Sequence, residues 1–329
     1  MTKTARTIAR LALGTTAALG LTAGAALAEK WDMPLAYPAT NYHSENAAKF
    51  AECVTAGTGG DVEIVTHPNG SLFKGNDIKR AVQTGQAPIG ERLLSAHANE
   101  NALFGVDSIP FLATSFDDAE KLWKAAQPEV GKVHDSQNLH YLYAVPWPPQ
   151  GLYFKKPVES VADMTGIKFR AYNSATARIA ELAGMVPVQV EAAELSQALA
   201  TGVAESFISS GSTGYGSKVW EHLTNFSEVD AWLPRNTIFV NRDSWNGLSD
   251  ANRKAVSDCG DKAAADGLAK ARELTSFYLK GLSDNGMKVA PPSAGLKDEL
   301  KAFGATMTDE WLASAGDAGR KIVDDYKAM

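Results

Sequence analysis

The sequence predicts an α/β protein built as two lobes around a cleft. Three observations predict it. Strand-like and helix-like segments alternate from residue 29 onward, which indicates a substantially parallel sheet crossed by helices. A Pro-rich break, Trp147-Pro148-Pro149, interrupts the alternation, and the same rhythm restarts beyond it. Residues 248–286 then carry few helix breakers, enough chain for one long helix lying across both halves.

Each element has its own signal. Residues 1–10 are basic, with Lys3, Arg6 and Arg10 and no acid, and residues 11–28 are small and apolar, ending Ala26-Leu27-Ala28. This is the pattern of a secretory signal cleaved after Ala28, too short and too rich in Gly and Thr to span a bilayer. "KWDMPLAYP" is a short apolar strand. "SENAAKFAECVTAG" puts Ala47, Phe50 and Val54 on one helix face. "DVEIVTHPNG" alternates and ends in the turn Pro68-Asn69-Gly70, "NDIKRAVQTG" is a helix stopped by Gly85, and "QAPIGERLL" is a buried strand. "SFDDAEKLWKAAQPEV" opens with a serine and acids in its first turn, a good helix start. "HYLYAVPWPP" is a strand running into the break.

Beyond Pro149, "GLYFKK" and "GIKFRAY" are strands, "SATARIAELAG" a helix, "MVPVQV" a strand, "AAELSQALATG" a helix and "AESFISSG" a strand. "TIFVNRDSW" is a strand before the long helix, and residues 297–329 are helical and charged. The expected division is a signal at 1–28, lobe 1 at 29–148 with roughly 237–265, lobe 2 at 149–236, and residues 266–329 packing across both.

Composition narrows the function. Removing Lys3, Arg6 and Arg10 with the signal takes the formal net charge from −6 to −9. An acidic exported chain lacks the electrostatic footprint for nucleic acid or an anionic membrane. No later segment is apolar enough to span a bilayer. Cys53 and Cys259 are the only cysteines; a disulfide between them and two buried thiols both fit an oxidising compartment. No Cys-x-x-Cys, G-x-S-x-G, H-E-x-x-H or phosphate loop is present, and His43, His67, His97, His134, His140 and His222 show no metal spacing. No metal or cofactor is expected. An exported α/β hydrolase, the alternative of another class, would need a base–nucleophile pair that the sequence does not display. Two hinged lobes in an exported protein point instead to a ligand trap.

Arg170 is the strongest candidate contact. It ends the strand "IKFRAYNS", with Phe169 directed to the opposite face and Tyr172, Asn173 and Ser174 leading into a helix whose free N–H groups point at the same spot. A guanidinium there suits a carboxylate, its two parallel N–H bonds matching the two oxygens.

The surrounding run, Asp163-Met164, Gly166, Lys168, Arg170, Gly184, Pro187, Glu194, Ala198-Leu199 and Thr201-Gly202-Val203, resembles the signature of the periplasmic solute-binding proteins of tripartite ATP-independent periplasmic (TRAP) transporters, the DctP-like family. "HPNGSLFKGNDIKRAVQTGQAPIG", the signal and the long helix extend the resemblance over nearly all of the chain after the signal. It implies a two-lobed periplasmic binding protein fold with a hinge cleft, a long helix spanning both lobes, and Arg170 as the grip on a ligand carboxylate. It implies no reaction: a periplasmic protein binds a small organic acid and hands it to the small and large membrane subunits of the transporter. A monomer is expected. Where many relatives place a second arginine about twenty residues earlier, this chain has Gln150.

One strong anion clamp among apolar surface predicts an aromatic or apolar monocarboxylate, benzoate-like, with a short aliphatic 2-hydroxy or 2-oxo acid as the alternative. Trp147 and Tyr153 flank the crossing between lobes. Tyr172, Asn173, Phe207, Ser210 and Gln150 are expected on the second-lobe side of the cleft. Tyr37, Asn41 and His43 close over the ligand from the first lobe, with Arg92 and with Glu91 orienting Arg92 or bonding a ligand hydroxyl. A surface ion pair is the plainer account of Glu91 and Arg92.

Overall fold

The computed structural model describes Thr2 and residues 29–329; the expected signal otherwise lies outside the described residues. In chain order the elements begin with strand β1 (Glu29–Pro34), helix α1 (Tyr42–Gly57), β2 (Val62–His67), α2 (Ile78–Gln83), β3 (Ile89–Leu93), α3 (Phe116–Ser136) and β4 (Leu139–Pro146). The second half contains β5 (Gln150–Phe154), β6 (Lys168–Ala171), α4 (Ser174–Leu182), β7 (Val186–Gln189), α5 (Leu195–Ala200), β8 (Ser206–Ser210), α6 (Gly211–Gly216) and β9 (Asn225–Ser227). The chain finishes with β10 (Arg235–Asn241), α7 (Arg242–Gly247), α8 (Asp250–Asp284), β11 (Lys288–Ala290) and α9 (Ala294–Lys327). Side-chain caps start the main helices: Asn41 on α1, Ser115 on α3, Ser249 on α8 and Ser293 on α9.

One lobe holds the pair β1-β2 and the sheet β3-β10-β4, and the other holds the six-stranded sheet β11-β9-β5-β8-β6-β7. The sheets are mixed, which corrects the expectation of a substantially parallel sheet. β10 runs antiparallel to β3 and β4, and β5 runs antiparallel to β8 and β9. Both β5 and β10 follow directly on a crossing between lobes, so no helix turns them parallel to their neighbours. The pairs β1/β2 and β6/β7, joined through α1 and α4, are parallel, as a helical crossover requires. The strands β9 and β11 and the break in α9 at Gly316 (φ 61°) had no clear sequence signal.

The two crossing segments are bonded to each other. Trp147 N–H donates to Pro234 O, Gln150 N–H to Trp232 O and Ala231 N–H to Gln150 O. The third connection is α8, whose 35 residues rise about 1.5 Å each and span about 50 Å. It packs on α1 and β4 of one lobe and on α6 and β11 of the other. Its buried face is built from small residues, including Gly260, Ala263, Gly267 and Ala271. A Cβ on Gly267 would come within 2.7 Å of Val145, so glycine is what lets α8 lie directly on β4. Cys53 of α1 and Cys259 of α8 form a disulfide with Cα atoms 5.8 Å apart.

Candidate functional site

A cavity of about 40 Å3 lies between the lobes. One water needs 10–15 Å3 of such space, so the cavity suits one small ligand. Its walls are strand ends and crossing segments. β6 and the residue after it supply Arg170 and Tyr172. β7 and the loop beyond supply Gln189, Glu191 and Ala192. β3 supplies Arg92 and Leu93, the crossings supply Trp147, Gln150 and Pro234, and Tyr37, Ser209 and Thr213 complete it. The parallel strands β6 and β7 end side by side, which is where an α/β sheet presents its ligand crevice.

Arg170 is 3% exposed. Its Nε donates to Val190 O at 2.9 Å, and its two terminal nitrogens make no hydrogen bond to any described residue. The guanidinium lies 5.1 Å from the centre of the Tyr172 ring. Burial lowers its pKa to about 10, so it is still charged at neutral pH. Arg92 approaches from the other lobe, its Nη2 donating to Asn76 Oδ1 at 2.6 Å. The site therefore has two cations; the second stands on β3 rather than at the position of Gln150.

Gln150 is fully engaged. Its Nε2 donates to Pro148 O at 2.9 Å, and its Oε1 accepts from the Tyr172 hydroxyl at 3.1 Å. It braces Tyr172. Trp147 is braced too: its Nε1 donates to Asn236 Oδ1 at 2.8 Å, Tyr37 packs edge-on at 4.8 Å and His43 lies 4.0 Å behind it.

Several expected contacts lie elsewhere. Tyr153 and Phe207 stack at 4.3 Å inside the core with Val219, Phe226 and Leu282, and the Tyr153 hydroxyl donates to Ser210 O. Phe207 shares a sheet face with Ser209 but sits two residues, about 7 Å, further from the strand end. Ser210 caps α6. His43 is fully buried with neither ring nitrogen bonded, and burial pushes its pKa well down, so it is a neutral packing residue. Asn41 caps α1 and lines an outer cavity with Tyr215, Phe277 and Tyr278. Asn173 caps α4 and donates from Nδ2 to Ser95 Oγ of the other lobe at 2.9 Å. The N-terminus of α4 is thus closed by Asn173 and Thr176, and Ser174 and Ala175 face a different cavity, with Arg178 and Trp311. It does not point at the Arg170 site.

Glu91 neither pairs with Arg92 nor reaches the cavity. Its Oε1 accepts from Asn236 Nδ2 at 2.9 Å, and its Oε2 is buried without a hydrogen bond. It thereby holds the asparagine that holds Trp147. Burial pushes its carboxyl up to about 7, against a hydrogen bond from Asn236 and the field of Arg92. A carboxyl whose folded pKa is raised contributes stability below its unfolded pKa and loses it as pH rises through the folded value. Glu91→Gln, which keeps an oxygen for Asn236, is expected to flatten the fall in thermal midpoint between pH 5 and 8. Buried Asp107, also pushed up to about 7, keeps its share in both proteins. Equal slopes for the variant and the parent would show that Glu91 does not carry this dependence.

Glu191, Gln189, Ser209 and Thr213 were missed. The signal existed: in "VPVQVEA" Gln189 ends the strand beside Arg170 and Glu191 follows two residues on.

Comparison with known proteins agrees with this geometry. The profile of the bacterial extracellular solute-binding proteins, family 7, matches residues 36–315. A TRAP solute-binding protein from a marine metagenome, specific for pyroglutamate and crystallised with it, is 59% identical; the alignment covers 92% of this chain and 99% of that one, with a TM-score of 0.91. A Bordetella pertussis extracytoplasmic solute receptor binding pyroglutamic acid is 44% identical over 91% of this chain and 100% of its own, with a TM-score of 0.90. The C4-dicarboxylate-binding periplasmic protein DctP of Rhodobacter capsulatus is 27% identical over 74% of each chain.

Proposed function

We propose, on the premise that this chain belongs to family 7 of the bacterial extracellular solute-binding proteins, that its interlobe cavity captures pyroglutamate. The chain is a TRAP solute-binding protein, extracytoplasmic, not an enzyme, and works with membrane subunits on small organic acids; the hydrolase alternative is set aside. One observation carries the choice of ligand. Arg170 and Arg92 against Glu191 leave the lining one positive charge in excess, matched to a monoanion, in a chain 59% identical to a pyroglutamate-specific protein. Gln189, Glu191, Ser209 and Thr213 make part of the wall polar, which suits a ring bearing an amide. Capture would proceed by docking of the carboxylate on the free nitrogens of Arg170, with Arg92 closing from the other lobe. Closure removes water and strengthens the ion pair.

Tyr37, Trp147 and Tyr172 favour a second reading, a benzoate-like acid lying against three aromatic rings. A thermal-shift series with pyroglutamate, benzoate, lactate and pyruvate separates these. A ligand at one hundred times its dissociation constant adds about 2.7 kcal/mol. Pyroglutamate alone is expected to raise the midpoint; a shift by benzoate without one by pyroglutamate would transfer the site to the second reading, and a shift by lactate or pyruvate alone would make the cargo a short aliphatic acid. We also place the signal at residues 1–28, the lobes at 29–148 with roughly 237–265 and at 149–236, with 266–329 across both, and a monomer as the working form. The N-terminal mass of exported protein and its sedimentation test the first and last of these.

A further inference from the structure

We propose that Glu191 determines the specificity of this site by accepting the ring N–H of a lactam whose carboxylate lies on Arg170. The inference rests on the pyroglutamate reading above. Glu191 is the one carboxylate in the cavity wall. Its Oε1 accepts from the backbone N–H of Asn76 at 3.3 Å, while Oε2 makes no hydrogen bond to any described residue. Asn76 in turn takes Arg92 Nη2 on its side chain. One residue of the first lobe thus steadies both Arg92 and Glu191 across the cleft. Gly75 makes room for them: a Cβ there would stand 2.6 Å from Glu191 Oε2 and 3.1 Å from Arg92 Cζ.

Gln189, Ser209 and Thr213 bring neutral oxygens to the wall, but no other charged acceptor among the described residues lines it. Gln150 is bonded at both ends, Trp147 Nε1 is bonded to Asn236, and Arg170 and Arg92 can only donate. Glu191 Oε2 is therefore the one charged acceptor free to meet a ligand N–H. Such a bond is charge-assisted and short. A ligand carrying oxygen in place of that N–H would set two acceptors face to face, and sites built this way reject the analogue strongly.

Calorimetric titration of the mature protein with pyroglutamate and with its lactone counterpart, 5-oxotetrahydrofuran-2-carboxylate, tests the role. The parent protein is expected to prefer the lactam by roughly 10- to 100-fold, the range for a hydrogen bond to a charged group. In Glu191→Ala the preference is expected to fall within about threefold, by loss of lactam affinity with lactone affinity equal or improved. Glu191→Gln, which keeps the shape and can donate to a ring oxygen, is expected to narrow it as well. An unchanged ratio in both variants, or equal weakening of both ligands, would overturn the proposal and leave Glu191 as a bridge to Asn76. Absence of pyroglutamate binding by the parent protein would remove the underlying reading and this one with it.

Discussion

Arg170→Ala is expected to lose carboxylate binding by two to three orders of magnitude while its melting midpoint moves by only a few degrees. Removing one partner of a buried, hydrogen-bonded charge pair typically costs about 2–5 kcal/mol, much of it from the charge left unpaired. The fold should tolerate the change because the side chain's structural ties are few: one bond from Nε to Val190 O and its contact with Tyr172. Alanine also relieves the burial of a cation that stands in the field of Arg92. Arg170→Lys keeps the charge but not the planar fork. It should recover only part of the affinity, because a single ammonium cannot hold Val190 O and both carboxylate oxygens in one plane. Calorimetry with pyroglutamate reads both variants. An affinity within about tenfold of the parent's in Arg170→Ala would show that Arg92 alone grips the anion.

The double variant Cys53→Ser/Cys259→Ser is expected to melt roughly 3–8 °C lower with its ligand affinity unchanged within about twofold. The bond joins residues 206 apart in sequence, and cross-links of long loops typically stabilise by about 2–4 kcal/mol, chiefly by restricting the unfolded chain. For a chain of about 300 residues each kcal/mol moves the midpoint by about 1.5–2 °C. Both cysteines lie where α1 packs on α8, away from the lining of the Arg170 cavity, which is why affinity should survive. Reductant should lower the midpoint of the parent protein and leave the variant alone. An unchanged midpoint would mean that packing of α1 on α8 is sufficient by itself.

Local patterning carried most of the element assignments. The stop at Gly85, the serine start at Ser115 and the breaker-poor run that becomes α8 all depend on neighbours in sequence, and each is found where the pattern placed it. The run 163–203 likewise singled out Arg170 and, with it, the family. Strand direction was not legible, because it depends on how the chain re-enters a lobe after crossing, and alternation of apolar residues is the same for parallel and antiparallel neighbours.

The site divides along the same line. Sequence identified the arginine at a strand end and the aromatic residues around the crossings, since their chemistry is written in residue type. It could not tell which of those residues face the cavity. Tyr153 and Trp147 look alike in the sequence, yet Tyr153 stacks on Phe207 in the core while Trp147 is turned into the cleft by Asn236, a residue 89 positions away. Glu91 and Glu191 look alike too, and only the packing of two lobes buries one behind Trp147 and leaves an oxygen of the other free. Residue type and local pattern thus determined the elements, the family and the candidate arginine; the meeting of distant strands at the cleft decided which polar groups remain unpaired, because a hydrogen bond already made within the fold is unavailable to a ligand.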